Sequence, residues 1–419
     1  MFEISETPRP MKFGINGLGR IGKLTLWHHI ARRSFSEIVV NIGRQVGQNL
    51  HDLAASIEKD SSYGSLATYL HGFKCTRVIE NVNDKEGTMT IDGIPVRILR
   101  KSRDPKAINW RMHDVSLVVD TTGVFTDPTL PADSPRGALR GHLDSGASKV
   151  ILSAPFKIKD KSKTMPDDAV TTVMGINEDD YIPDHHVLIS AASCTTTCLS
   201  HMVKPILDYF GAHRILTASM VTVHAATGSQ KVLDRLPASG ATDLRKNRSI
   251  LNNIILTTTG AAKALSLVIP EMKRIGFIAE SVRIPTSTGS LIVLVMTIQD
   301  KSLEHPINRN VIHDIYRQAA DGSSKGYLIF TEDQNVSSDI IGTPAAAAII
   351  EATEIHTRTA AITVDPQLAG LKPVDDAEIE SVQIPVTQIV IYGWYDNELG
   401  SYTNMLGERT VTIADTMLY

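Results

Sequence analysis

The chain reads as an α/β protein of two units: a doubly wound parallel sheet first, then an α+β unit on a mixed sheet. Three observations predict this. The strand-like run Met11–Asn16 feeds straight into Gly17-Leu18-Gly19-Arg20-Ile21-Gly22, a helical pattern (Ile21, Leu24, Trp27, Ile30) and a second apolar run, Ile38–Ile42. Two more apolar runs, Leu117–Asp120 and Lys149–Leu152, end in small polar residues, as strands of such a sheet do. After Phe210 the pattern turns strand-rich, with alternation through Ser219–His224 and a long buried run at Leu291–Ile298.

Length and composition agree. A chain of 419 residues can bury two cores. Its 42% apolar and 21% charged content is that of a soluble globular protein. A net charge of −4 gives no reason to expect nucleic acid or an anionic membrane as main partner. The segment 1–10 lacks the apolar centre of a secretory signal and is read as a flexible tail. No apolar run reaches membrane-spanning length. Three cysteines (Cys75, Cys194, Cys198) cannot build a disulfide framework, so a reducing cytoplasm is the expected compartment; no metal site is read.

Strand, GxGxxG, helix and strand within about thirty residues is the context that gives the glycine motif meaning. Gly17 permits the tight turn, Gly19 lets backbone approach a pyrophosphate, and Gly22 lets helix pack on strand. Arg20 and Ile21, at the helix opening, join them as candidate contacts to a bound dinucleotide. An acid is expected about twenty residues beyond the last glycine, on the adenosine ribose. Ile42 stands there instead, with Arg44 just beyond. Isoleucine neither accepts the ribose hydrogen bond nor repels a 2′-phosphate, and Arg44 can pair with one. The cofactor is therefore NAD or NADP, with NADP tolerated or preferred; the other reading makes Arg44 a solvated loop charge. Thr122, Gly123 and Phe125 follow the strand at 117–120 and are placed at the same crevice.

Cys194 stands between the run Val187–Ile189 and a helical pattern with Leu199, Met202, Val203, Ile206, Leu207 and Phe210 on one face. Unpaired N–H groups and the positive end of the helix dipole favour the thiolate there. Ser193, Thr195, Thr196 and Thr197 supply hydroxyls suited to an anion. The competing reading is a buried structural cysteine on a Ser/Thr-rich turn. Pro205 predicts a kink about three turns in. His224 closes the alternating run as a partner for the thiol. Thr257–Lys263 opens a helix as a plausible phosphate cradle, and Arg283 sits in an apolar setting that calls for an anion. The segment 359–385, rich in Pro and acids, reads as a surface insertion.

These stretches, with Thr222–Thr227, Thr259–Lys263, Arg283–Thr286 and Trp394–Glu398, occur in the order seen in the glyceraldehyde-3-phosphate dehydrogenase family, which the chain resembles from Met11 onward. The resemblance implies a phosphorylating dehydrogenase of glycolysis or gluconeogenesis. Glyceraldehyde 3-phosphate would be oxidised through a Cys194 hemithioacetal and thioester, with His224 as general base and inorganic phosphate as acceptor. It implies that Thr227 and Arg283 hold the substrate phosphate, that Ser193, Thr195, Thr259 and Gly260 hold the attacking phosphate, and that Asn397 orients the nicotinamide carboxamide. It also implies a homotetramer. The implied layout is a nucleotide-binding Rossmann domain over 11–190, a catalytic domain over 191–399, and a last helix, about 400–419, returning to the first domain. Thr197, Leu399 and the Ser401-Tyr402 order depart from the family pattern. Erythrose-4-phosphate dehydrogenase and a non-catalytic nucleotide-binding regulator are the alternatives; Thr227, Thr259-Gly260 and Arg283 favour the glyceraldehyde reading, and the Cys194–His224 pair favours catalysis.

Overall fold

A computed structural model describes residues 9–75, 77–344, 346–365 and 381–418. In chain order the first half contains β1 (Arg9–Asn16), α1 (Arg20–Arg32), β2 (Phe35–Asn41), α2 (Leu50–Glu58), β3 (Lys59–Asp60), β4 (Gly64–Ser65), α3 (Leu66–His71), β5 (Ile79–Asn83), β6 (Thr88–Ile91), β7 (Ile94–Leu99), β8 (Val115–Asp120), α4 (Gly141–Asp144), β9 (Lys149–Leu152), β10 (Ala169–Thr171) and β11 (Leu188–Ser190). The second half contains α5 (Cys194–Phe210), β12 (Ile215–Ala225), β13 (Ile255–Thr257), α6 (Ala261–Val268), β14 (Gly276–Ile284), β15 (Ser290–Gln299), α7 (Arg309–Asp321), β16 (Leu328–Thr331), β17 (Ala348–Glu351), β18 (His356–Val364), β19 (Val382–Tyr395) and α8 (Tyr402–Thr416). Two compact units result. The first takes the chain up to Thr197, a short piece from Ile341, and Asp396 onward; the second takes Cys198–Ile340 and Ala346–Tyr395. The division lies inside α5, between Thr197 and Cys198, rather than at residue 190.

The first unit is a nine-stranded sheet in the order β10-β11-β9-β8-β1-β2-β7-β6-β5, and its seven strands from β10 to β7 are parallel. Alternate residues of β2 supply both faces: Ile38 and Val40 join Leu24, Trp27 and Ile413 on one side, and Val39 joins Trp110, Val118 and Leu139 on the other. A parallel sheet has to be covered on both faces in this way. The chain leaves β1 towards β2 and later returns to β8 on the other flank, so the sheet's switch point lies between β1 and β8. Arg9 and Pro10 are part of β1 rather than tail, because Arg9 pairs with Phe35 and its guanidinium with Asp415, Nη2–Oδ2 2.9 Å; residues 1–8 lie outside the described residues.

The second unit is built on a mixed eight-stranded sheet, β13-β14-β12-β15-β19-β17-β16, with β18 paired to β19. Every second residue of β15 (Ile292, Leu294, Met296, Ile298) is buried, the period of a strand with one covered face. Helix α5 lies close on β19: a Cβ at Gly393 would come within 2.4 Å of Met202 Sδ. The helix continues as one element through Pro205, the site of the expected kink. The expected insertion 359–385 is a hairpin at both of its described ends, with Thr359–Val364 paired to Val382–Thr387. The β-branched run Thr357–Val364 drives that pairing, which the Pro and acid content obscured; 366–380 lies outside the described residues.

Candidate active site

In the first unit the parallel strands present their carboxyl ends along one edge of the sheet, where ligands of this architecture bind. Gly17 follows β1 with φ +97°, a conformation that favours glycine. A Cβ at Gly22 would lie 2.2 Å from the Gly17 carbonyl oxygen, so only glycine lets α1 start this close to the turn. A Cβ at Gly19 meets nothing within 4 Å, and no side chain caps α1. The first-turn N–H groups of Arg20, Ile21 and Gly22 thus face an open cradle at the positive end of the helix, the geometry a pyrophosphate requires. The Arg20 guanidinium itself is engaged elsewhere. It pairs with Asp60 and Glu398, which outweigh the burial acting against its charge and hold its pKa above the ordinary value. Asp60 in turn is held down to about 2: burial opposes its charge, and Lys23 and Arg20 overcome it.

Thr121 Oγ1 donates to the Gly17 carbonyl at 3.0 Å, tying the end of β8 to the glycine turn. Thr122 and Gly123 follow on that edge, Gly123 with φ +67° and open space beside it. Phe125, two residues on, is 9% exposed and packs in the core cluster with Trp110 and Leu139. Ile42 is half-buried, its side chain against the opposite core cluster, while Arg44 is exposed on the loop after β2.

Cys194 is the first residue of α5 and follows β11, so it stands on the same carboxyl edge as Gly17 and Thr122. It is partly exposed. Ser193 caps the helix: its Oγ accepts from the Thr196 N–H at 3.1 Å and its carbonyl from the Thr197 N–H at 2.8 Å. The turn before it is strained. Ala192 has φ +54°, a left-handed conformation that costs a non-glycine residue about 1–2 kcal/mol. It is held by two hydroxyls: Ser190 Oγ accepts from its N–H at 3.1 Å, and the Tyr402 hydroxyl donates to its carbonyl at 3.2 Å. Tyr402 is fully buried; burial first and the neighbouring Cys194 second push its pKa well above the ordinary value. Thr195 and Thr197 are buried in the first turn.

Asn397 is buried in the link between β19 and α8. Asp396 organises that link, accepting from the Tyr63 hydroxyl (2.6 Å) and from the N–H groups of Glu398 (3.0 Å), Gly342 (2.9 Å) and Gly400 (2.9 Å). Asp396 has no role assigned from sequence, and Tyr402 stands out there only as a departure from the family order. The run Trp394–Glu398 carries the signal for Asp396; the contact of Tyr402 with Ala192 spans 210 positions and has no local signal.

In the second unit, β12 and β14 run parallel with His224 directly opposite Arg283. His224 is 4% exposed, its Nδ1 lying 2.8 Å from the Ala225 carbonyl and 2.6 Å from Arg283 Nη1. Burial, with the Arg283 charge adding to it, pushes its pKa down to about 4 against the opposing Ala225 carbonyl. At neutral pH the ring is uncharged, the form a general base needs. The Tyr395 ring meets it edge-on with centroids 6.0 Å apart, and the Tyr395 hydroxyl lies 2.8 Å from Thr222 Oγ1. Thr227 is half-buried just past β12, its N–H and hydroxyl donating to Gln230 Oε1. Thr259 Oγ1 accepts from the Ala261 N–H at 3.2 Å, and Gly260 opens α6 with open space beside it. The structure thus brings Gly17–Gly22, Thr122, Gly123 and Cys194 to one sheet edge, and pairs His224 with Arg283 on the other unit's sheet.

Comparison with known proteins agrees with this geometry. A family profile described as the NAD binding domain of glyceraldehyde 3-phosphate dehydrogenase matches residues 11–128, and one described as its C-terminal domain matches 193–364. Glyceraldehyde-3-phosphate dehydrogenase of Streptomyces coelicolor is 35% identical over 413 residues, 97% of this chain and 99% of its own. Glyceraldehyde-3-phosphate dehydrogenase 2 of Bacillus subtilis is 32% identical, covering 93% of each chain, and the chloroplastic A form of Chlamydomonas reinhardtii is 32% identical over 97% and 88%. An uncapped glycine turn, a thiol at a helix start on the same edge, and relatives alike over their full lengths lead to one conclusion: the chain belongs to the glyceraldehyde-3-phosphate dehydrogenase family.

Proposed function

We propose that this chain oxidises glyceraldehyde 3-phosphate with a nicotinamide cofactor and inorganic phosphate to 1,3-bisphosphoglycerate, with Cys194 as nucleophile and His224 as base. The observation that carries the reading is the placement of Cys194 at the start of α5, on the sheet edge that also bears the glycine turn. The helix start favours the thiolate, whose Sγ attacks the aldehyde carbon. His224, uncharged at the outset, takes the proton that the Cys194 thiol gives up, lends it to the oxyanion that this attack creates, and takes it back as the hydride leaves that carbon. A nicotinamide cofactor held at the Gly17–Gly22 turn and Asn397 would supply the acceptor for the hydride of that carbon. Attack of phosphate on the Cys194 thioester then releases the acyl phosphate and returns the thiolate. Thr227 and Arg283 bind the substrate phosphate in this account. Ser193, Thr195, Thr259 and Gly260 bind the attacking phosphate in this account, Ser193 as the cap of α5 and Thr259 as the residue before α6's cap. Asn397, set by Asp396, orients the nicotinamide amide. Steady-state turnover with phosphate and glyceraldehyde 3-phosphate tests this: Cys194→Ser lowers kcat by about a thousandfold or more, and near-normal activity of that variant contradicts it.

The cofactor is NAD or NADP, with NADP tolerated or preferred, in this account. Ile42 offers no acid to repel a 2′-phosphate, and Arg44 is exposed one turn on. A cavity of about 510 Å³, lined among others by Asn41, Gln45, Arg100, Lys101 and Ser102, flanks that loop with a cationic rim. Arg44→Ala raises KM for NADP by about tenfold and leaves KM for NAD within twofold; equal effects on both contradict the assignment. The exposed apolar side chains Leu233, Leu236, Ile254 and Ile278 suit a subunit interface, and we place the enzyme as a homotetramer in the cytoplasm, where Cys194 stays reduced. Light scattering at micromolar concentration checks the assembly. No helix among the described residues is long and apolar enough to cross a membrane.

A further inference from the structure

Beneath the sheet edge of the first unit lies a row of buried polar side chains that the chemistry above does not use. Asn16, Asn41 and Asp120 are the last residues of β1, β2 and β8, and the register places Asn16 opposite both of the others. Asp120 is fully buried and its carboxylate accepts four hydrogen bonds. Oδ1 takes the N–H and the hydroxyl of Thr122 (3.0 and 2.6 Å); Oδ2 takes Asn16 Nδ2 (2.8 Å) and His142 Nε2 (3.0 Å). His142, also fully buried, is fixed in turn by Trp110, whose Nε1 donates to Nδ1 at 2.8 Å. An indole is a donor only, so Nδ1 carries the lone pair and the ring N–H on Nε2 points at Asp120. The row continues sideways: Asn41 Nδ2 donates to Asn16 Oδ1 at 2.8 Å and to the Ser102 carbonyl at 3.0 Å, and Asn41 Oδ1 accepts from the Gly43 N–H at 3.2 Å.

Every donor in this chain is oriented, and both ends reach the loops that form the crevice: Thr122-Gly123 after β8 and Gly43-Arg44 after β2. A buried carboxylate and imidazole are costly where aliphatic side chains would pack as well, so their presence asks for a use. We propose that Trp110 and His142 are positioning residues that, through Asp120 and Asn16, fix both crevice loops from below and so set the affinity for the dinucleotide. The proposal rests on the reading of the Gly17–Gly22 edge as the cofactor site. No contact of His142 or Trp110 with the dinucleotide is involved; both are 0% exposed. Their effect is transmitted by hydrogen bonds alone, as a supporting shell acts on ligands it does not touch.

The test is calorimetric titration of the intact enzyme with NAD and with NADP, alongside thermal unfolding without cofactor and kcat at saturating cofactor. His142→Leu removes the donor to Asp120 and the acceptor for Trp110. Its Kd for the dinucleotide rises about tenfold, while kcat at saturation changes less than twofold. His142→Gln restores one donor and one acceptor at the two ends, and its Kd returns to within about threefold of the parent. If His142→Leu does not fold, Trp110→Phe carries the test, with an expected rise of about threefold. Parent-like Kd in a folded His142→Leu or Trp110→Phe protein, or a His142→Gln protein as impaired as His142→Leu, overturns the proposal. Failure of the parent to bind either dinucleotide would overturn the cofactor reading itself, and this proposal with it.

Discussion

His224 is kept uncharged by its surroundings: it is buried, and the Arg283 cation lies against it. The sign of the effect follows. A ring whose pKa is about 4 is the free base throughout the physiological range and takes up a proton only as the pH falls through about 4. Chemical-shift titration of labelled histidines, with His224→Asn identifying the signal, should find the ring uncharged at pH 5.5; a midpoint near the ordinary value contradicts this. The same substitution lowers kcat by about 10²–10⁴. Both Cys194 and His224 were legible in the sequence because each closes or opens a periodic run next to small residues. Arg283 was legible as a cation in an apolar strand. That it stands beside His224 was not, since only the β12–β14 register puts them opposite each other. Phe125 is placed at the crevice by its strand-end position, and its packing with Trp110 and Leu139 shows only in the fold, burial of such a side chain being worth about 1.5–3 kcal/mol.

The strand-to-helix turn from β11 into α5 sets the thiol's position, and it does so under strain. Ala192 in the left-handed region persists because Ser190 and Tyr402 hold its N–H and carbonyl. Tyr402→Phe removes one of these restraints, worth about 1 kcal/mol. Alkylation of Cys194 by iodoacetamide should then slow several-fold with the fold retained; an unchanged rate contradicts a positioning role for the hydroxyl. Ala192→Val, β-branched at positive φ, should destabilise by more than about 2 kcal/mol in urea unfolding. The glycine turn needed only local rules, since strand, turn and helix are consecutive. The hairpin of β18 and β19 needed more, because its two strands are joined through a Pro- and acid-rich segment that reads as a loop.

At the scale of the whole molecule, buried histidines make stability depend on pH. His28 is fully buried and held down to about 3, chiefly by burial and then by Arg32; His224 is held down to about 4. Both pKa values are depressed on folding, so unfolded chains take up protons below about pH 6.5 that the folded protein refuses. Stability is therefore full above that pH and is lost as pH falls towards 4, at about 1.4 kcal/mol per pH unit for each histidine. Urea midpoints should drop between pH 7 and pH 5, and His28→Gln should flatten the drop; a pH-independent midpoint contradicts the argument. The architecture itself was legible at this scale, since two periods and one glycine motif define a doubly wound sheet followed by a mixed one. The buried row of Asn16, Asn41, Asp120 and His142 was not, because its members meet only when strands distant in sequence align. The central claim, turnover through an acyl group on Cys194, is tested most directly by mass spectrometry of the intact enzyme after mixing with glyceraldehyde 3-phosphate and cofactor in the absence of phosphate. The account predicts a phosphoglyceryl thioester on the peptide bearing Cys194, discharged when phosphate is added; turnover without that adduct, or an adduct elsewhere, contradicts it.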